Sequence, residues 1–343
     1  MTSSVDAKIA VIVPNWNGAD SLAACLDSLL AQSIKARIIV VDNGSVDESS
    51  AILEGYPEVE VIQHLENKGF SGGVNAGFRR AVEIGCEFAA AFNNDARADQ
   101  DWLKHLVGEL AASPEVGIVT CKLISDDGSH LDSTGDYYTV WGLPYPRGRN
   151  ETELSAYDNQ REIFAASGGA SLYRVGMLKT VGMFDEDFFA YYEDVDLSFR
   201  AQLAGWKVRY VPAAVAYHQI GATSSKIKGF TTYQTLKNIP LMVWKDVPRR
   251  YFLRVWPRMV LAFWLFAGRA VLRGQIVAVC KGIIMGPVLW PKKLIERYRV
   301  QKSRKVSDEY IWDMFVHDLP PNARALRKLR LVWWKLSRKS IDN

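Results

Sequence analysis

The stretch EFAAAFNNDA, residues 87–96, decides how this chain is read. An apolar run stops abruptly at two amides and a carboxylate, Asn93, Asn94 and Asp95. A buried strand that ends in three polar groups must satisfy them in a tight turn or spend them on a ligand, such as a metal ion holding a phosphate. The choice depends on what else in the chain converges there.

Upstream, KIAVIV (8–13, closed by Pro14) and RIIVVD (37–42) are continuous apolar runs of strand length, and EVEVIQH (58–64) alternates as a strand nearer an edge does. Downstream, VGIVTC (116–121) is a further strand. Between them, SLAACLDSLLAQ (21–32), GGVNAGFRRAVEIG (72–85) and DWLKHLVGELAA (101–112) have helical spacing. SVDESSAILEG (45–55) opens with Ser45 and Glu48 at the capping-box offset. Buried strands alternating with helices predict a parallel α/β sheet covered on both faces. Ligands in such sheets bind beyond the carboxyl ends of the strands. NWNG, DNGS, ENKGFSGG and NNDA follow the first four strands in turn. One such cluster is an ordinary turn; four on one rim point to a site.

Residues 125–163, rich in Gly, Pro, Asp and Tyr, read as a strand or two with a long loop over that rim. FAASGGASLYR (164–174) reads as strand-turn-strand, FDEDFFAYYEDVDLSFRAQLAG (184–205) as an acidic, aromatic loop entering a helix, and WKVRYVPAAVAYHQIG (206–221) as the final strands, ending near His218. Asp95 and His218 together offer a carboxylate and an imidazole to Mg²⁺ or Mn²⁺. Glu193, Asp194 and Asp196 crowd a helix start, where the macrodipole favours carboxylates; crowding under aromatic cover also raises the basicity of one of them toward that of a general base. The glycine-rich turn lets backbone approach a phosphate or sugar at a helix N-terminus. It fits neither the dinucleotide fingerprint nor the P-loop, and no G-x-S-x-G nucleophile is present. The four cysteines fit no metal or disulfide spacing and read as buried thiols of a reducing compartment. The polar start MTSSVDAK and the short apolar run after it do not predict a secretory leader.

Taken together, VIVPNWNG, VVDNGSVDES, ENKGFSGGVNAGF, FNNDA, SGGASLYR and FFAYYEDVDLSFRAQLAGW resemble the inverting nucleotide-sugar glycosyltransferases of family 2, and their bacterial rhamnosyltransferase branch in particular, over roughly residues 8–222. The resemblance implies the GT-A fold, a Rossmann-like, mixed, mostly parallel sheet with helices on both faces, with a catalytic domain at 1–229 split near residue 124 into nucleotide-sugar and acceptor halves. It implies that Pro14, Asn15, Asn17 and Asp42 hold the base and ribose. Asn67, Gly69, Gly72 and Asn75 would line the donor, with Asn93 and Asn94. Asp95 would be the last carboxylate of the family's D-x-D motif, here N-x-D, and would bind the metal with His218. Asp194, with Glu193 beside it, would be the base, and Ser167, Gly168 and Gly169 would adjoin the acceptor. The expected reaction is metal-dependent inverting transfer of L-rhamnose from dTDP-rhamnose to a lipid-linked or polysaccharide acceptor in cell-envelope glycan synthesis. The alternatives are a UDP-hexose or UDP-N-acetylhexosamine transferase, a nucleotidyltransferase, and a non-catalytic sugar-nucleotide-binding scaffold.

Charge divides the chain. Residues 1–229 carry a net −12 and residues 230–343 a net +16. The basic part mixes Trp, Phe and Leu with Arg and Lys, and no uncharged run in it exceeds the length of 259–268, short of the ~20 residues a span needs. At 100° per residue Arg258, Arg269 and Arg273 fall within about 60°, leaving a broad apolar face. The expectation is a helical, membrane-associating region, 230–343, that adsorbs to the anionic inner face of the cell membrane from the cytoplasm; the alternative is that these helices pack on the catalytic domain and leave a solvated basic face. The tail ARALRKLRLVWWKLSRKS (323–340) is the leading membrane segment. No nucleic-acid motif accompanies the charge, and a homo-oligomer is left open.

Overall fold

The computed structural model describes residues 8–219, 227–321, 323 and 327. Strands β1 (Ile9–Asn15), β2 (Arg37–Asp42), β3 (Glu60–Gln63) and β4 (Phe88–Phe92) run parallel, as the buried runs predict. β5 (Ala96–Ala98), β6 (Val116–Ser125), β7 (Leu131–Ser133), β10 (Ala170–Arg174) and β11 (Lys207–His218) complete one sheet in the order β3-β2-β1-β4-β10-β6-β11-β5, with β7 on the side of β6. β8 (Asp136–Tyr138) and β9 (Pro144–Pro146) form a separate hairpin.

Both faces of the sheet are covered. Alternate residues of one strand, such as Val11 and Val13 against Ala10 and Ile12, feed two cores. On one side lie α1 (Ala19–Leu30), α2 (Ser49–Glu54) and α4 (Trp102–Ala112); on the other lie α3 (Gly69–Glu83), α5 (Val175–Val181) and α6 (Glu193–Leu203). The parallel pattern fails at β10, which is antiparallel to both neighbours, β4 and β6. The segment before it is extended and buried but joins no ladder beyond single bridges at Glu162 and Ala165, so strand-turn-strand reduces to one strand. The expected final strands are one long strand, broken in register between Val211 and Val215. Pro212, which has no N–H to give the ladder, sits in that bulge.

A third core joins the C-terminal helices to the rest. α7 (Phe230–Asp246), α8 (Arg249–Leu272), α9 (Ile276–Lys302) and α10 (Asp308–Asp313) close over the hairpin and α6. Tyr138, Phe164, Phe188 and Phe199 pack with Ile239, Met242 and Phe315. Cys25, Cys86 and Cys121 are buried as expected, but Cys280 on α9 is exposed. Most of the tail chosen for membrane contact lies outside the described residues.

Candidate active site

The rim at the ends of β1 and β2 is held together by its own polar groups. The buried Asp42 carboxylate accepts from Asn15 Nδ2 (3.0 Å), Gln63 Nε2 (2.5 Å) and the Ser45 hydroxyl. Asn94 Nδ2 donates to Asn15 Oδ1 at 2.7 Å, which ties the β4 turn to β1. Asn17 sits in the left-handed region at φ 50°; its amide N–H donates to Ser45 Oγ (2.9 Å) and its Oδ1 accepts from the Val46 amide (2.9 Å). Ser45 is therefore no helix cap: α2 begins later, at Ser49, because the hydroxyl bridges this rim. Pro14 lies inside β1, opposite Val41.

The glycine-rich turn is tightly packed on its inner side. Gly69 has φ +73°, and a Cβ there would lie 2.3 Å from the Phe189 carbonyl oxygen. That carbonyl accepts the Ser71 amide at 3.0 Å, while the Gly69 amide donates to Asn67 Oδ1 at 2.8 Å. A Cβ on Gly72 would strike Lys68 Cβ at 2.7 Å. Asn75 donates to the Phe184 carbonyl (2.9 Å) and Glu186 Oε1 (3.0 Å) and accepts the Phe184 amide (3.0 Å). The turn and the start of α3 thus clasp the 184–192 loop, which requires glycine at 69.

Asp95 and His218 do meet. Antiparallel pairing sets His218 opposite Ala96, and His218 Nε2 lies 3.1 Å from Asp95 Oδ1. The contact is an ion-pair approach and not a hydrogen bond, so Asp95 Oδ1 stays buried without a donor. On the other side of the ring, Nδ1 is 2.7 Å from Asp132 Oδ2, whose second oxygen pairs with Arg149 at 2.6 Å. Asn93 Nδ2 approaches His218 Nε2 at 3.2 Å, and the Asn93 amide donates to the Gly169 carbonyl. Burial lowers the His218 pKa, but Asp132 and Asp95 outweigh it and bring it to about 9. An unpartnered carboxylate oxygen beside an imidazole whose far nitrogen is fixed by a carboxylate is the donor set and outer support that suit a divalent ion. Asp95 and His218 would hold such an ion, with the Nε2 lone pair of a neutral imidazole as one ligand.

Asp194 stands at the start of α6. Its Oδ2 accepts the Gly168 amide (2.7 Å) and its Oδ1 the Val195 amide (2.8 Å). Ser167 and Gly169 flank that contact, and the Ser167 carbonyl accepts from Ser171. Burial raises the Asp194 pKa against the lowering effect of these two amides. Glu193 is buried, with Oε2 unpartnered, and is pushed well above the carboxylate range by burial and then by Asp194. Asp196 is instead fully buried and paired with Arg200 at 2.8 Å. Phe189, Tyr191 and Tyr192, just before the acids, all have φ between 64° and 72°. Left-handed aromatic residues carry strain that the surroundings must hold, a feature concentrated at functional sites.

Two residues of this site escaped the sequence reading. Asp132 orients His218, and Asp136 is pushed up to about 8 by burial and then by Asp194. Both lie in the 125–163 segment, which has no periodicity to place a side chain; only their clustering in HLDSTGD marked them. A second acidic group, Asp185, Asp187 and Glu296, has oxygens close enough to share a cation. That position is taken by the Lys293 ammonium, at 2.5, 2.7 and 2.7 Å from the three.

The curled mixed sheet with its polar rim defines the GT-A class of sugar-nucleotide-dependent transferase. The model of glycosyl transferase family 2 matches residues 10–182, and the chain belongs to that family. An N-acetylglucosaminyl-diphospho-decaprenol L-rhamnosyltransferase of Mycobacterium tuberculosis is 28% identical over 231 residues, 61% of this chain and 75% of that one. A pre-mycofactocin glycosyltransferase of the same organism is 28% identical over 213 residues, 61% of this chain but 42% of the relative. The mannosyltransferase PcManGT of Pyrobaculum calidifontis, solved with GDP-Man and Mn²⁺, superposes with a TM-score of 0.53 at 16% identity, covering 89% of this chain and 87% of that one. At that identity the likeness shows the fold alone.

Proposed function

We propose that this chain is a divalent-metal-dependent inverting glycosyltransferase of cell-envelope glycan synthesis, moving L-rhamnose from dTDP-rhamnose to a lipid-linked acceptor. One observation carries the chemistry: the orphaned Asp95 oxygen faces a His218 ring already fixed by Asp132. The sugar and the acceptor class are supported by the name of the M. tuberculosis rhamnosyltransferase.

Asp95 and His218 would hold the metal, which when bound offsets the charge growing on a leaving nucleoside diphosphate. The Asp42 rim, with Pro14, Asn15 and Asn17, would hold the nucleoside, and Asn67, Gly69, Gly72, Asn93 and Asn94 would border the donor. Asn75 would act one step back, by positioning the loop that precedes the base. Asp194, fixed by the Gly168 and Val195 amides, would take the proton of the acceptor hydroxyl as that oxygen attacks the anomeric carbon opposite the departing diphosphate. Burial keeps Asp194 basic enough for the task. Ser167, Gly168 and Gly169 form the wall on the acceptor side.

Membrane adsorption fits the exposed surface of the C-terminal helices. α8 is, among the described residues, the one helix long and apolar enough to cross a bilayer. It instead buries Val255, Met259, Ala262 and Ala267 against the protein and exposes Leu253, Leu261, Trp264 and Leu272. α9 exposes Ile276, Val277, Ile284 and Val288. Exposed apolar side chains beside Arg258 suit the inner, anionic face of the cell membrane.

The test is a panel of dTDP-, UDP- and GDP-sugars with Mg²⁺ or Mn²⁺, read by thermal shift and slow donor hydrolysis. dTDP-rhamnose is expected to stabilise the chain by mass action, and only with metal. A UDP-sugar as the sole stabilising donor would replace rhamnose, and no metal-dependent shift with any donor would overturn the proposal.

A further inference from the structure

An open apolar cavity of about 390 Å³ lies between α7, α8 and the Leu143–Pro144 turn. Its walls include Leu236 and Ile239 of α7 and Met259, Phe263 and Phe266 of α8. Two features distinguish it from a packing defect. Arg269 in the last turn of α8 and Arg273 at its C-cap line it, and among the described residues neither has a carboxylate within ion-pair distance. Tyr192, the residue immediately before Glu193 and Asp194, also lines it, with its hydroxyl 3.4 Å from Thr235 Oγ1 in the same wall. The cavity therefore extends from the start of the helix that carries the candidate base to a pair of unpaired guanidinium groups. The outer side of α8 exposes Leu261 and Trp264, so the cavity lies next to the surface assigned to the membrane.

From this geometry we infer that the cavity binds the lipid part of the acceptor, a prenyl chain carrying a diphosphate, with Arg269 and Arg273 on the phosphates and the first isoprene units against Phe263, Phe266 and Met259. This deepens the proposed function and rests on it for the word acceptor. The chemistry is specific. Paired guanidinium groups recognise phosphate oxygens through parallel hydrogen bonds. An apolar wall of Phe and Met accommodates a branched unsaturated chain, removing its surface from water. A neutral lipid would leave the arginines without a partner, and a free diphosphate would leave the apolar wall wet.

Titration calorimetry of the full chain in mild non-ionic detergent tests this with farnesyl diphosphate, farnesol and inorganic pyrophosphate as probes. Farnesyl diphosphate is expected to bind saturably and at least tenfold more tightly than either of the others. Arg269→Ala/Arg273→Ala is expected to weaken it at least tenfold, and Phe266→Asp, at a partly exposed position, to do the same from the apolar side. Unchanged thermal stability of both variants, alone and with a nucleotide sugar and metal, shows that fold and donor half are intact. Wild-type affinity in the double arginine variant overturns the inference. So does displacement of farnesyl diphosphate by phosphatidylglycerol at equal concentration, which would make the cavity a seat for bilayer lipid. A wild-type chain that binds farnesyl diphosphate but no nucleotide sugar would sink the proposed function and leave the cavity assigned.

Discussion

Each residue of the candidate site is set by what its neighbours have left unsatisfied. Asp194 accepts two backbone amides and is still raised by burial, so it is held in place yet remains basic. Asp194→Asn keeps the shape and removes the base: transfer should fall by about 10²–10⁴ while donor thermal shifts persist. Because that carboxyl is raised, the acid limb of kcat/KM for transfer should lie above the ordinary Asp value of about 4; a limb at or below it would remove Asp194 from the reaction. Asp132 acts through His218, and Asp132→Asn should weaken Mn²⁺ binding about 10–100-fold with little change in melting temperature. Asp136, held near 8, works on stability instead. Its folded pKa lies above its unfolded value, so its contribution is full below about pH 4 and is lost as pH rises toward 8. Asp136→Asn should therefore melt higher than wild type at pH 8, with the gap closing toward pH 5. Parallel melting curves would contradict this.

At the scale of elements, the strands β1, β2, β4 and β6 and their helices were legible because unbroken apolar runs and helical spacing leave few alternatives. The approach of Asp95 to His218, 123 positions apart, was legible too, since each closes a strand. β10 was not legible as an antiparallel insertion, because a central strand buried on both faces reads the same in either direction. Nor was the role of Ser45, whose capping offset is real but whose hydroxyl finds better partners across the rim. The 184–192 loop is fixed from both sides. Asn75 and Gly69 hold it from α3, and Lys237 and Asn238 of α7 donate to its carbonyls. Lys245 and Lys293 meet Asp185 at 2.5 Å, and Lys245 meets Asp196 at 2.5 Å. No spacing rule pairs lysines of α7 and α9 with acids more than 40 residues upstream. Lys293→Met should cost about 3–5 kcal/mol in urea unfolding, because it strands buried carboxylates. Lys281→Met, on the exposed side of α9, should cost about 0.5 kcal/mol or less. Equal costs would deny the network its role.

For the whole molecule, the aromatic core of Tyr138, Phe164 and Phe199 is completed by Met242 and Phe315, so the fragment 1–229 should aggregate or fail to melt cooperatively. A soluble, cooperatively folding fragment would show that the C-terminal helices are an accessory. The full chain should float with anionic vesicles at low salt and be released as salt rises. The central claim is that one cation joins the two arms of the chain at Asp95 and His218. Binding of Mn²⁺ followed by electron paramagnetic resonance, with and without dTDP, tests it most directly. Wild type and Asp194→Asn should bind one Mn²⁺, more tightly with the nucleotide, and Asp95→Asn and His218→Ala should each lose at least tenfold in affinity. Mn²⁺ binding of wild-type strength in both of those variants would contradict the account.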